Sequence, residues 1–156
     1  TLMLGACTAS YDAETPVEEE FPVNHITNEA IEAARISFLG DIAQVPPMFS
    51  AIKVDGQPLY KRARKGETIE VKAREVSIYS FDLTRVAVPE IDFKVACSKG
   101  TYIRSLAHDF GRALQSGAYL TALHRTRIGD HAIESAWELT ELIDALRSKA
   151  DSTNSI

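Results

Sequence analysis

The stretch CSKGTYIRSLAHDFG, residues 97–111, joins the clearest strand pattern of the chain to its clearest helix pattern. Residues 91–97 alternate between apolar and polar, which is typical of a half-buried antiparallel strand. A glycine and a helix N-terminus together favour an anion, and Lys99, Tyr102 and Arg104 lie beside them. The junction is therefore a candidate nucleic-acid site, although a capped helix with a solvated face would give the same pattern. The apolar stripe of the helix consists of Ile103, Ala107, Phe110 and Leu114.

The other periodic segments predict an α+β fold with a mainly antiparallel sheet and a few helices. Residues 11–24 are expected to form an acidic loop, because Pro16 and Pro22 interrupt them. Strands are expected at residues 1–8, 50–54, 69–83 and 91–97, with a phase slip near Glu75. Helices are expected from the Thr27 cap to Gly40, from Pro58 to Gly66, over 101–115 and over 135–150, the last with Leu139, Leu142 and Leu146 buried.

The composition is that of one globular domain, with 156 residues, of which 45% are hydrophobic and 25% are charged. No apolar run approaches the roughly 20 residues that a membrane helix needs. The two cysteines and four histidines match no metal-ligand spacing, so reduced thiols in a cytoplasmic protein without a metal are expected. Thr1 begins directly inside a strand-like stretch, so we expect the chain to be the C-terminal part of a longer polypeptide.

Charge is distributed unevenly along the chain. The net charge is −5, which argues weakly against a nucleic-acid partner. Residues 1–50 hold one basic and eight acidic side chains, whereas residues 51–130 hold fourteen basic and nine acidic ones. Residues 131–156 are acidic again. A basic middle between acidic ends is what a surface that faces phosphates would produce.

Two further basic segments occur in that middle part, at residues 46–75 and at residues 123–127. The segment 46–75 is poor in apolar residues and reads as a projection from a core. Cations for phosphates and a ring for stacking suit a nucleic acid, although solvated surface is the alternative for each segment. The residues concerned are Lys53, Tyr60, Arg62, Arg64 and Lys65 in the first segment, and Leu123, Arg125 and Arg127 in the second, where Leu123 could also be an ordinary core residue.

Three long motifs together resemble one family in order and spacing. They are QVPPMFSAIKVDGQPLYKRARKGETIEVKAREVSIYSFDL at 44–83, CSKGTYIRSLAHDFGRAL at 97–114 and GAYLTALHRTRIG at 117–129. They resemble the bacterial tRNA pseudouridine synthase B (TruB) family, which converts uridine to pseudouridine in the TΨC loop of tRNA. The similarity runs from about residue 2 to residue 145. It implies the pseudouridine synthase fold, a tRNA TΨC stem-loop as partner, a monomeric parent enzyme and no cofactor.

The resemblance also implies roles for individual residues. Tyr102 would match the tyrosine that lies against the target base, and Arg104 the arginine that pairs with the catalytic aspartate. Leu123 would line the uracil pocket, and Lys99 would support the site. Residues 46–75 would match the thumb that clasps the tRNA loop.

One feature of the family has no counterpart in this sequence. The catalytic aspartate of the family lies in a Gly-x-Leu-Asp-Pro stretch upstream of the matched region, and no aspartate here has that context. The chain is therefore expected to be a partial catalytic domain over residues 1–135, with a helix and polar tail over 136–156, no RNA-binding PUA domain and no activity alone. The alternative is a non-catalytic RNA-binding module that keeps the thumb.

Overall fold

The computed structural model describes residues 1–54, 56–67 and 69–153, with side chains up to residue 148. The chain divides into two compact units, Thr1–Leu123 and His124–Ile156. The strands of the first unit are β1 Leu2–Leu4, β2 Ala6–Thr8, β3 Val17–Glu20, β4 Gly40–Gln44, β5 Lys53–Val54, β6 Gln57–Pro58, β7 Arg74–Ala87, β8 Glu90–Cys97 and β9 Ala118–Leu120. Its helices are α1 Asn28–Ser37, α2 Leu59–Ala63 and α3 Ile103–Ala113. The second unit contains β10 Arg127–Ile128, β11 His131–Ala132, a 3-10 turn Ile133–Ser135 and α4 Leu139–Thr153.

A five-stranded sheet organises the first unit, in the order β4-β7-β8-β1-β9. Every neighbouring pair in it is antiparallel, as the alternating patterns predicted. The long β7–β8 ribbon pairs Phe81 with Val95 and supplies most of one face of the core. The α+β prediction with a mainly antiparallel sheet is therefore confirmed.

Helix α3 packs on this sheet through the predicted apolar stripe. Phe110 is fully buried, and its ring meets that of Phe81 edge-on at 5.5 Å between centroids. Gly111 lies so close to β9 that a Cβ there would be 2.4 Å from the backbone nitrogen of Ala118. The helix that begins at the Tyr102–Arg104 junction is thus held close against the sheet at its other end.

The predicted N-cap of helix α1 is confirmed, because the Thr27 hydroxyl accepts a hydrogen bond from the backbone N–H of Ala30 at 3.2 Å. Its buried face consists of Ile31 and Ala34. The helix ends at Ser37, earlier than the predicted Gly40, which instead begins β4 with a φ of +87°.

The N-terminal region differs from the expectation in two places. The predicted strand over residues 1–8 is divided at Gly5, whose φ is +91°, so that β1 joins the large sheet while β2 pairs with β3. The expected acidic loop contains β3, whose four residues are all exposed. An exposed strand carries no buried alternation, so the period-2 signal could not reveal it.

The strand predicted from residue 69 begins only at Arg74. Its register shifts lie between Ile78 and Ser80 and between Leu83 and Arg85, so the phase slip predicted near Glu75 is misplaced. Strand β4 was not predicted, and it pairs along the first half of β7. Its short sequence exposes three of five residues, which leaves little pattern to detect.

The segment predicted to project from the core forms a small hairpin and a helix. β5 and β6 pair Val54 with Gln57, and Gly56 has a φ of +79°. The strand predicted over 50–54 is reduced to two residues, and the next residue, Asp55, lies outside the described residues. Helix α2 is short, as predicted, and Leu59 is its buried residue.

The second unit contains the predicted final helix, α4, but not its predicted buried face. Leu139, Leu142 and Leu146 are all exposed, by 70%, 37% and 58%. The two strands of this unit have two residues each, so they offer little apolar surface against which a helix could pack. Within the described part of the chain, no helix is both long and apolar enough to cross a membrane.

Candidate functional site

The guanidinium of Arg104 stands at the centre of the candidate site. Its Nη1 donates to the carbonyl of Ser10 at 3.0 Å and lies 3.2 Å from Oδ2 of Asp12. Its Nη2 donates to the carbonyl of Phe49 at 2.8 Å. The Arg104 and Asp12 side chains are 21% and 25% exposed, so this ion pair is reachable from solvent yet less screened than a surface pair.

Asp12 is oriented by its own segment. Its Oδ1 accepts hydrogen bonds from the hydroxyl of Ser10 at 2.5 Å and from the backbone N–H of Glu14 at 3.0 Å. The hydroxyl of Thr8 donates to its carbonyl at 2.7 Å. These bonds turn Oδ2, the remaining carboxylate oxygen, towards Arg104. Asp12 is a site residue that was not predicted from the sequence.

Tyr102 stands at the N-terminal end of α3 and is half-buried. No side chain within the helix caps this end, but the backbone N–H of Tyr102 donates to Oε1 of Gln44 at 2.7 Å. Gln44 is 2% exposed and is the last residue of β4. Its Nε2 has no hydrogen-bond partner among the described residues. A buried glutamine from the sheet therefore caps the helix that carries Arg104.

The segment between β4 and β5 is tied to the same helix. The hydroxyl of Ser105 donates to the carbonyl of Val45 at 2.7 Å, and Arg104 binds the carbonyl of Phe49. Together with the Gln44 bond, these contacts fix the base of the predicted thumb on the first turn of α3.

Two open clefts meet at Glu14, Phe49 and Arg104, which line both of them. The first brings Arg104 together with Asp12 and Leu123. The second brings Arg104 together with Tyr102, Tyr60 and Arg64. Residues from three of the motifs, far apart in sequence, thus converge on one surface.

Leu123 is 58% exposed, so the alternative that it is a core residue is wrong. It presents an apolar side chain beside the Arg104–Asp12 pair. Lys99 is exposed in the turn before α3 and lines neither cleft.

The predicted RNA-binding residues of the thumb segment occupy different environments. Arg64 lies over the Tyr60 ring, with Cζ 5.6 Å from the centroid, and its Nη2 is 3.9 Å from Oε1 of Glu14. Lys53 and Lys65 are exposed and line neither cleft. Arg62 is half-buried, so less of it is available to a ligand.

Arg125 and Arg127 belong to the second unit and are exposed there. The Nε of Arg127 donates to the carbonyl of Gly129 at 3.0 Å, which closes the β10–β11 turn. Both side chains remain available to a ligand, and their role in RNA binding stays a prediction.

A cluster of titratable side chains lies beside the Asp12 segment. The Tyr11 and His108 rings are stacked, and Sγ of Cys7 is 3.9 Å from Nδ1 of His108. Burial lowers the pKa of His108 and raises the pKa of Cys7 and of Asp109. Near neutral pH the pair is therefore a thiol beside a neutral imidazole, which is not an activated nucleophile. Within the described part of the chain, no cluster of three histidine, cysteine or carboxylate side chains could hold a metal ion.

The arrangement can bind and orient a flat, polar molecule. The Tyr102 and Tyr60 side chains offer rings, Leu123 offers an apolar wall, and Arg104 offers a cation whose direction its acceptors fix.

Asp12 and Gln44 were not predicted from the sequence, because each acts through a long-range contact. The one available signal was that a glutamine directly precedes VPP in the first motif.

The chain matches two family profiles that together cover nearly all of it. Residues 1–103 match the profile described as TruB family pseudouridylate synthase (N terminal domain). Residues 104–155 match the profile described as tRNA pseudouridylate synthase B C-terminal domain.

Curated relatives agree with these profiles. The chain is 52% identical over 147 residues to tRNA pseudouridine synthase B of Flavobacterium johnsoniae, covering 94% of this chain and 64% of the relative. It is 52% identical over 134 residues to the protein of the same name from Phocaeicola vulgatus, covering 86% of this chain and 57% of the relative. The chain thus spans somewhat less than two thirds of the length of these relatives.

Solved structures share the fold. A chain of a Cbf5-Nop10-Gar1 complex superposes with a TM-score of 0.60 and 30% identity, over 76% of this chain and 31% of that one. A chain of an H/ACA RNP bound to a substrate RNA containing 2'-deoxyuridine superposes with a TM-score of 0.57 and 22% identity, over 92% of this chain and 32% of that one. The second similarity supports the fold alone.

Proposed function

The chain belongs to the TruB family of pseudouridylate synthases, and we propose that it forms the part of a tRNA pseudouridine synthase that binds the target uridine and orients the catalytic carboxylate. The proposed substrate is a uridine in the TΨC stem-loop of tRNA, handled by a monomeric enzyme in the cytoplasm. The reaction is an isomerisation in which uracil is detached from C1′, turned and rejoined through C5.

The convergence of Tyr102, Arg104 and Leu123 on adjoining clefts carries this proposal. A base in a stacked loop is out of reach, so it must be flipped into a pocket, at a cost of about a few kcal/mol. A flipped uracil needs a flat partner and apolar walls, which Tyr102 and Leu123 would supply. These residues stand in the motifs that the family resemblance assigns to base contact.

Arg104 would act on the carboxylate rather than on the base. A guanidinium keeps a carboxylate ionised and aimed through its fixed fork of N–H groups. Arg104 is itself held by Asp12, Ser10 and Phe49. We infer that Asp12 fixes the direction in which Arg104 meets the catalytic aspartate of the family.

The Gly-x-Leu-Asp-Pro aspartate of the family has no counterpart among the 156 residues. We therefore propose that residues 1–135 are a partial catalytic domain, that 136–156 add a helix and tail, and that this chain alone does not convert uridine. This chain preceded by a segment that carries that aspartate is the aspartate-complete enzyme.

Residues 46–75 are proposed to act as a thumb on the RNA. Tyr60 and Arg64 share a cleft with Tyr102, so they would contact nucleotides next to the target. Lys53, Arg62 and Lys65 on the same segment, and Arg125 and Arg127 on the second unit, would contact phosphates. Lys99 would add charge in the turn before α3.

A non-catalytic RNA-binding module is the second candidate function, favoured by the lack of the family aspartate. The partly buried Arg104–Asp12 pair favours the enzyme, because a pure binder has no need of an arginine ordered by three acceptors inside a cleft.

Substitution of Arg104 by Lys in the aspartate-complete enzyme separates the two candidates. A lysine keeps the charge but loses the fork, so an enzyme loses uridine turnover while its affinity for tRNA is retained. Binding of tRNA without turnover by the unsubstituted aspartate-complete enzyme would instead support the binding module. Turnover is measured by the pseudouridine content of a tRNA transcript, and affinity by filter binding.

A further inference from the structure

Beside the Arg104–Asp12 pair, the ring of Tyr11 lies flat on the ring of His108. Their centroids are 3.9 Å apart and their planes differ by 13°. Tyr11 directly precedes Asp12 in the chain, and His108 lies one helical turn after Arg104 on α3. The ring stack and the ion pair therefore join the same two segments at successive positions.

We propose that Tyr11 and His108 are positioning residues, which hold the Asp12 carboxylate against Arg104 by fixing the segment 10–12 on α3. The part of this inference that concerns turnover rests on the proposed function, because it gives Arg104 its task. The part that concerns the position of the segment does not.

The other contacts of Asp12 do not dock its segment on the helix. The bond from Ser10 orients the carboxylate within the segment, and the bonds from Glu14 and Thr8 connect Asp12 to the following residues and to β2, not to α3. The ion pair and the Ser10 carbonyl contact both end on the guanidinium of Arg104, a long side chain with many rotamers. An aromatic ring has two side-chain torsions, so the stack connects the segment to the α3 backbone through a shorter and stiffer path.

The backbone of Tyr11 supports the same interpretation. Its φ is +63°, in the left-handed region that glycine and asparagine enter readily and aromatic residues rarely do. The carbonyl of Tyr11 accepts a hydrogen bond from the backbone N–H of Leu120 at 3.0 Å, at the end of β9. The stack of the Tyr11 ring on His108 offsets the cost of this backbone conformation, which accounts for a tyrosine at this position.

The electrostatic state of the two rings suits a stack. Burial raises the pKa of Tyr11, and burial together with the Arg112 charge lowers the pKa of His108. Both rings are therefore neutral near pH 7, and no desolvated charge opposes their contact.

The first test uses the 156-residue chain and needs no catalysis. Tyr11→Asn removes the ring and tolerates the left-handed backbone, whereas Tyr11→Phe keeps the ring. We expect amide hydrogen exchange at Leu120 to accelerate at least about tenfold in Tyr11→Asn and to change less than about twofold in Tyr11→Phe. The amide of Ile31 in α1 serves as an internal reference. Unchanged exchange at Leu120 in Tyr11→Asn would overturn the positioning role.

The second test measures turnover in the aspartate-complete enzyme. We expect Tyr11→Asn to lower kcat about tenfold with KM for tRNA within about twofold, and His108→Leu to do the same. Tyr11→Phe and His108→Phe, which keep a ring at each position, should retain most of kcat. In an Asp12→Asn background, adding Tyr11→Asn should lower kcat by less than about twofold, because the carboxylate that the stack positions is absent.

A full tenfold loss in both backgrounds would overturn the proposal, since it would mean that the stack acts independently of Asp12. If the unmodified aspartate-complete enzyme fails to convert uridine, the proposed function is wrong, and the exchange experiment still decides whether the stack positions the segment.

Discussion

The backbone N–H of Tyr102 donates to the buried side-chain oxygen of Gln44 at 2.7 Å, so a residue of β4 caps the helix that carries Arg104. This bond joins the edge of the sheet to the first turn of α3, where two of the predicted site residues stand. The bond satisfies the buried side-chain oxygen of Gln44, whereas its Nε2 has no hydrogen-bond partner among the described residues.

Gln44→Met should destabilise the chain, because a side chain of similar size without an acceptor leaves the Tyr102 N–H unbonded. The expected loss in the free energy of unfolding is about 1–2 kcal/mol, measured by urea denaturation. Amide hydrogen exchange at Tyr102 should accelerate in the same variant, because its N–H has lost its acceptor. Unchanged exchange at Tyr102 in Gln44→Met would contradict the capping role.

Asp12→Asn in the aspartate-complete enzyme should lower single-turnover rates while leaving tRNA affinity within about twofold. An amide keeps the shape of the side chain but no longer offers a charge to Arg104. Loss of a charge-assisted contact of about 1.5–3 kcal/mol corresponds to a rate loss of about tenfold to a hundredfold. Asp82→Asn, at an exposed position on β7, is the control with unchanged rates. A normal rate in Asp12→Asn would show that Arg104 does not depend on this partner.

Gly111→Ala should destabilise the first unit even though alanine is the better helix former. A Cβ at this position would lie 2.4 Å from the backbone nitrogen and 2.6 Å from Cβ of Ala118, so α3 would have to move away from β9. We expect a loss of about 1–3 kcal/mol in the free energy of unfolding. Arg112→Ala, on the exposed side of the same helix, should change it by less than about 0.5 kcal/mol. A stabilised Gly111→Ala variant would mean that the helix and the sheet are not in close contact.

The stability of the chain should depend on the protonation of His108. Its pKa is lowered from 6.5 by burial and by the Arg112 charge, so below that pH the unfolded chain binds the proton more readily than the folded chain. The free energy of unfolding should therefore fall as the pH drops below about 6.5. His108→Phe should lack this part of the pH dependence in urea titrations at about pH 7, 6 and 5.

Asp109 contributes to the pH dependence of stability with the opposite sign. Because burial raises its pKa, the folded chain holds this proton more tightly than the unfolded chain does. That stabilisation is lost as the pH rises above about 3.8. Asp109→Asn measures that contribution separately. Identical slopes for the unmodified chain and His108→Phe between about pH 5 and 7 would contradict the assigned burial of His108.

The sequence predicted what depends on periodicity and on local motifs. The stripe of α3, the alternation of β8 and the Thr27 cap each record a contact with the core or with a neighbouring N–H, and all three were confirmed. The family resemblance named Tyr102, Arg104 and Leu123, which the fold places on adjoining clefts.

The missed features are those that depend on long-range contacts. Asp12 and Gln44 reach Arg104 and Tyr102 only after the sheet has formed, and neither has a local pattern that marks it. The exposed strand β3 has no apolar face, and the apolar stripe of α4 is uncovered, so periodicity missed the first and overestimated the burial of the second. Periodicity reports that a face is apolar, not that another element covers it.

We propose that this chain supplies the uridine pocket and the oriented Arg104 of a tRNA pseudouridine synthase but not its catalytic aspartate. The most direct test compares the 156-residue chain with the aspartate-complete enzyme on one tRNA transcript, and the pseudouridine formed in the TΨC loop is measured. We predict conversion by the aspartate-complete enzyme and none by the chain alone. Conversion by the chain alone, or none by the aspartate-complete enzyme, would contradict this division of the active site.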